Sequence, residues 1–196
     1  MTEYLNRRTL FEKEQRFALT GDALALESGG RNTSIPYEAI AGVALRFMPN
    51  RYDENVYRCA IETKDGREFL LFNKYVEGFR RFRDQSAAYR AFVLELHDRL
   101  KGRPGVVFRG GLSPASYWAS LAALAGVGLL VAGSVIVFPV DFSLTILLRL
   151  VFIAYLLWTG RNYYRFNRPA AYSPEDVPAR LLPRKSEPAA AEVKQA

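Results

Sequence analysis

Polar and apolar positions fall into three successive regimes along the chain. Between Arg16 and Ser28, RFAL and ALALES alternate on either side of Thr20-Gly21-Asp22, the pattern of two strands joined by a tight turn. Ser28-Gly29-Gly30-Arg31-Asn32 marks a second turn, and TSIPYEAIAGVALRF after it reads as a strand. A loop rich in Pro, Asn and charge spans Pro49 to Asn55. VYRCAIET and REFLLFNK then flank Lys64-Asp65-Gly66 as the clearest hairpin in the sequence. From Asp84 the period changes: Tyr89, Phe92, Val93, Leu96 and Leu100 recur at steps of three and four, which predicts a helix with one buried face. Strands come first and one helix comes last, an α+β order.

The third regime is apolar throughout. Residues 110–140 contain no Asp, Glu, Lys or Arg. Tyr117 to Phe138 is long enough, at about 1.5 Å per residue, to cross a hydrocarbon layer about 30 Å thick, with Tyr117 and Trp118 at the interfacial end. Phe142 to Trp158 is shorter and is interrupted by Arg149. Only Pro139, Val140 and Asp141 separate the runs, so the expectation is an antiparallel two-helix transmembrane hairpin. Ala119/Ala123, Ala122/Gly126 and Gly128/Ala132 repeat at four-residue spacing, which suits either packing of the first helix on the second or an oligomer seam. The expected organisation is a folded domain over 1–100, a basic juxtamembrane linker over 101–116, the hairpin over 117–160, and an anchor with a disordered tail over 161–196. Within that tail, Leu181-Leu182-Pro183 is either packed back on the domain or a docking motif.

The net charge of +7 gains meaning from its distribution. Residues 1–100 carry 16 Lys and Arg against 15 Asp and Glu, and residues 170–196 balance four against four. The excess lies in Lys101, Arg103 and Arg109 before the hairpin and Arg161, Arg165 and Arg168 after it, with no acid in either stretch. Bases bordering an apolar run fit anionic lipid headgroups rather than a nucleic-acid groove. The turn between the runs has Asp141 and no base, so the positive-inside rule places both termini in the cytoplasm. MTEYLNRRTLFEKEQ lacks the apolar core of a signal peptide. One cysteine, Cys59, excludes an internal disulfide and fits a reducing compartment.

Candidate chemistry is sparse. Arg149 is the one charge inside the apolar runs, where a guanidinium costs at least about 2.5–3.5 kcal/mol to insert. It is read either as snorkelling toward Asp141 or packing between protomers, or as a group that handles an ion, lipid or substrate. Phe79-Arg80-Arg81-Phe82-Arg83 alternates rings with bases, and Arg80, Arg81, Phe82 and Arg83 form a candidate partner patch. The competing reading is a solvated loop with two core-facing phenylalanines. Cys59 in a strand and His97 on a helix do not suggest a nucleophilic dyad, one histidine and one cysteine do not suggest a metal cage, and no phosphate-cradling loop is present. No catalytic residue, metal or cofactor is expected.

IPYEAIAGVAL, the IETKDGREFLLF hairpin and the closing SAAYRAFVLELHDRL helix together resemble the bacterial pleckstrin-homology-like domains over roughly Arg16 to Leu100. The resemblance implies an antiparallel β-sandwich or barrel closed by a C-terminal helix, serving as a binding or assembly module without catalysis. The short acidic Thr20-Gly21-Asp22 turn departs from the basic first loop of lipid-binding relatives, which argues against phosphoinositide recognition. The function expected is a non-enzymatic scaffold or adaptor at the cytoplasmic face of a bacterial inner membrane, partnered by a membrane protein or a second copy. A small subunit of a transport or envelope-remodelling assembly, working through the hairpin and Arg149, is the alternative.

Overall fold

A computed structural model describes residues 2–49, 55–79, 81–137 and 143–184. The expected turn at Pro139 to Asp141, the centre of the loop before Asn55, and the tail from Ser186 lie outside these residues. The chain divides into two compact units, Met1–Gly110 with Ala170–Ala196, and Gly111–Pro169.

In the first unit, β1 (Thr2–Asn6), β2 (Gln15–Leu19), β3 (Ala23–Ser28) and β4 (Arg31–Pro36) form a four-stranded antiparallel sheet in sequence order. Arg16 faces Glu27 and Leu19 faces Leu24 across β2 and β3, so the Gly21-Asp22 turn sets the register anticipated for that hairpin. The long strand expected across TSIPYEAIAGVALRF is instead broken in two. Pro36 closes β4, residues 37–39 form one short 3-10 turn, and β5 (Ile40–Phe47) continues in a different sheet. A proline offers no ladder N–H, so the chain turns a corner there. Tyr37 fixes that corner by donating its hydroxyl to the Thr20 carbonyl at 2.9 Å.

The second sheet places β5 beside β6 (Tyr57–Thr63) and β6 beside β7 (Glu68–Phe72), all antiparallel. The sheets meet at the β1 and β7 edges through side chains. Asn6 donates to the Leu70 carbonyl at 2.9 Å and accepts from the Phe72 N–H at 3.2 Å, and the Tyr4 hydroxyl donates to the Phe72 carbonyl. Helix α1 (Ser86–Leu100) buries Tyr89, Phe92, Val93, Leu96 and Leu100, the face read from its periodicity. Phe92 packs against Tyr4 and Phe17, with ring centroids 5.6 and 6.5 Å apart. Each large apolar side chain so buried contributes roughly 1.5–3 kcal/mol.

Three features of this unit depart from the expected organisation. A two-stranded sheet, β8 (Lys74–Gly78) with β9 (Arg81–Asp84), is interposed between β7 and α1. The stretch read as a linker over 101–116 contains β10 (Val107–Gly110), which runs parallel to β5. Gly42 permits that pairing, because a Cβ there would stand 2.9 Å from the Val107 carbonyl oxygen. The stretch read as tail supplies β11 (Ala170–Ala171) on the outer edge of β10, then a 3-10 turn over Ala179–Leu181. Leu181 and Leu182 are buried in the same core as α1, so this pair packs back on the domain. The folded unit therefore ends at Gly110 and resumes at Ala170, not at residue 100.

The second unit is a pair of helices, α2 (Pro114–Val137) and α3 (Ser143–Asn167), both extending beyond the 117–160 read from the apolar runs. Their base is closed by the Leu112 N–H donating to the Asn167 carbonyl at 2.9 Å. Gly111 makes this junction, with φ +81° and a position where a Cβ would lie 2.5 Å from the Asn167 and Arg168 carbonyl oxygens. Tyr117 meets Tyr164 edge to face at 5.5 Å. The close approach of the helices is at Gly160, where a Cβ would stand 2.7 Å from Leu124, whereas among the described residues nothing lies within 4 Å of a Cβ placed at Gly126 or Gly128. Among the described residues one helix, α2 over Pro114–Val131, is long and apolar enough to cross a membrane.

Candidate functional site

The residues singled out by sequence assemble best at the β8–β9 hairpin. Lys74 pairs with Asp84, Tyr75 with Arg83, and Val76 with Phe82, and a bulge then brings Gly78 opposite Arg81. The hairpin is fixed from below. Buried Asn73 accepts from the Tyr57 N–H at 2.7 Å and donates to Ser86 Oγ at 2.9 Å and to the Asn55 carbonyl at 2.8 Å. It is also fixed from the side: the Val76 N–H donates to the Arg7 carbonyl at 3.0 Å, and the Tyr75 hydroxyl donates to Glu14. Both ends of the loop over residues 7–14 are therefore fastened to β8.

Such anchoring leaves the tip outside the core. Phe79 is 83% exposed and Phe82 54% exposed. The reading of two core-facing phenylalanines is corrected: among the described residues β9 has a neighbour on one side only, and all four of its residues are exposed. Arg83 lies over the Tyr75 ring at 4.8 Å and pairs with Glu77 at 3.3 Å, while Arg81 has no carboxylate partner among the described residues. Arg80 lies outside the described residues. Sequence reading missed Phe11, which is 99% exposed in the loop held by β8. Its signal was a bare aromatic within RRTLFEKEQ, where no period explains it.

The bases before the hairpin of α2 and α3 are placed differently from a cluster open to headgroups. Arg103 pairs with Glu38 and covers the Tyr37 ring at 5.1 Å, Arg109 pairs with Glu62, and Lys101 lies 3.6 Å from Glu175. Each acid is remote in sequence from its base, so charge counted along the chain does not register the balance. Arg161 and Arg168 are exposed in the second unit, Arg165 is exposed on the last turns of α3, and Arg149 is half-buried on α3.

Cys59 and His97 are both fully buried. Burial pushes the Cys59 thiol up to about 12, against a weaker opposing effect of Arg58, so the thiolate is disfavoured. Burial likewise pushes His97 below its ordinary value, partly offset by its bond to the Val93 carbonyl. Nδ1 lies 2.7 Å from that carbonyl, which accepts only, so Nδ1 carries the proton and Nε2 accepts from the Tyr172 hydroxyl at 2.9 Å. Histidine and tyrosine stack at 5.7 Å and hold the returning segment against the domain. Among the described residues no group of three His, Cys, Asp or Glu is placed to hold a metal ion. No protein-family model, curated protein or solved structure matches the chain.

Proposed function

We propose that the protein is a membrane-anchored, non-enzymatic scaffold, in which a pleckstrin-homology-like head is held at the cytoplasmic face of a bacterial inner membrane by α2 and α3. The observation that carries this reading is the surface of the second unit. Leu129 and Leu130 on α2 and Leu150, Phe152, Leu157 and Trp158 on α3 all point outward, an apolar exterior suited to lipid and unfavourable in water. The orientation rests on Arg161, Arg165 and Arg168 after the hairpin and on the absence of Lys and Arg between Ser113 and Leu148.

Four antiparallel strands, three further consecutive antiparallel strands and a closing helix support the pleckstrin-homology-like reading of the head. The way the chain leaves and rejoins that head supports a tethering role. Gly110 and Ala170 are paired residues of adjacent strands, and the whole of residues 111–169 is inserted between them. A head joined to its anchor by two paired strands acts by proximity, raising its local concentration for partners at the same bilayer.

The test is carbonate extraction of full-length protein from bacterial membranes, combined with protease added from the periplasmic side. The expected result is retention in the pellet with an undigested head. Recovery of intact chain in the aqueous fraction, or digestion of the head from outside, overturns the proposal.

A further inference from the structure

We propose that the tip of the β8–β9 hairpin, with the adjoining loop that carries Phe11, is a second membrane contact that inserts aromatic rings into an anionic phospholipid surface. The inference rests on the reading that α2 and α3 lie in a bilayer, since that reading places the head beside lipid.

Three observations converge. Phe11, Phe79 and Phe82 are large rings left in solvent, and none stacks on another described ring, so the fold gives them no internal role. They lie on segments fastened at their bases: β8 is bonded to Arg7 and Glu14 at the two ends of the Phe11 loop, and Asn73 is bonded to Ser86 below it. Exposed rings on a braced scaffold lose little conformational freedom when they insert. The charge of these segments is basic on balance. Residues 74–84 carry four Lys and Arg against Glu77 and Asp84, and residues 7–14 carry Arg7, Arg8 and Lys13 against Glu12 and Glu14. Arg83 pairs with Glu77, Lys74 with Asp84 and Arg8 with Glu12, while Arg81 has no carboxylate partner among the described residues. A ring beside a guanidinium suits the boundary between acyl chains and anionic headgroups, where the ring is dry and the base meets phosphate.

A protruding hairpin tip favours lipid over an acidic peptide. Peptides are held in grooves or along sheet edges that supply a run of backbone bonds; the open edge of β9 is only four residues long, a short ladder for a peptide, whereas a soft interface accepts a convex tip. Because the anchor already confines the head, weak insertion suffices to fix its orientation. The consequence is a head held down at a second point rather than one that tumbles on its tether.

The experiment uses the full chain with Cys59→Ser and one new cysteine at a time, Phe79→Cys, Glu27→Cys or Leu129→Cys, each carrying an environment-sensitive fluorophore. Single copies are placed in nanodiscs of phosphatidylcholine alone or with about one third phosphatidylglycerol, and quenching by spin-labelled lipid is read. The expected result is strong quenching at 129 in both discs, at 79 chiefly with phosphatidylglycerol, and at 27 in neither. Arg81→Glu should reduce quenching at 79 by about half or more. Quenching at 79 no greater than at 27, or independent of phosphatidylglycerol, overturns the inference while leaving the anchor intact. Absence of quenching at 129 overturns the anchor itself. A label at 79 already shielded in neutral detergent assigns the tip to a second copy of the chain and likewise overturns the lipid assignment.

Discussion

Leu181 offers a quantitative test of how the returning segment seals the head. It is fully buried, sits directly over Gly110, and belongs to a 3-10 turn packed on β5. Across the sheet Leu45 of β5 faces Cys59 of β6, so Leu181 and the only thiol share one core. Leu181→Ala removes three carbons from a site enclosed by fixed strands, and such truncations cost about 2–5 kcal/mol. At 1.36 kcal/mol per tenfold, the population in which the core opens rises between about 30-fold and several thousandfold. Cys59 reports that opening, because it is shielded and its thiol is held near 12 while the head is closed. In detergent-solubilised full-length protein, with alkylation slow relative to reclosing, the labelling rate is proportional to the open population. The expected result is acceleration in that range for Leu181→Ala and less than about threefold for Leu94→Ala, a partly exposed position on α1. A rate for Leu181→Ala within about threefold of the parent would refute the argument that the segment after α3 completes the core.

Other outcomes follow from single contacts. His97 has a depressed folded pKa, so the unfolded chain binds the proton first. Its contribution is present above about pH 6.5 and is lost as pH falls, with a slope of up to about 1.36 kcal/mol per pH unit. Denaturant midpoints between pH 7.5 and 5.5 should show that slope in the parent and a flatter profile in His97→Gln. Asn73→Ala breaks three side-chain bonds and strands the Tyr57 N–H, at about 3 kcal/mol, against about 1 kcal/mol for Ser86→Ala, both readable by chemical denaturation. Gly111→Ala sets a side chain against two carbonyl oxygens at positive φ, at about 2 kcal/mol or more, and should speed tryptic cleavage after Arg109.

Strong period and strong composition made parts of this molecule legible in its sequence. The β2–β3 and β6–β7 hairpins were readable because alternation ran up to Gly-containing turns, and α1 because five apolar residues repeat along one face. The apolar stretch after Ser116 was readable by composition alone. Strands β10 and β11 were not, since each is short and pairs with a strand remote in sequence; β8 and β9 are a local hairpin but short and bulged near Gly78, and β1 precedes the first segment that alternation marked. Leu181-Leu182 carried no period by which to choose between core and docking motif. The bases at 101, 103 and 109 looked unbalanced because their acids stand at 175, 38 and 62, brought near only by folding. For the tip phenylalanines the sequence left a partner patch and a core-facing loop in competition, and the core-facing one fails because the loop is an outer hairpin with no second neighbour among the described residues.

The pairing of Gly110 with Ala170 also dictates an order of assembly. During synthesis the sheets and α1 emerge first, but the outer strand and the leucines that seal the core are translated only after both apolar helices. A nascent head must therefore wait, with one flank unsealed, until the chain has passed through its greasiest stretch and come back. Completion of the head thereby becomes a record that the whole hairpin has been made.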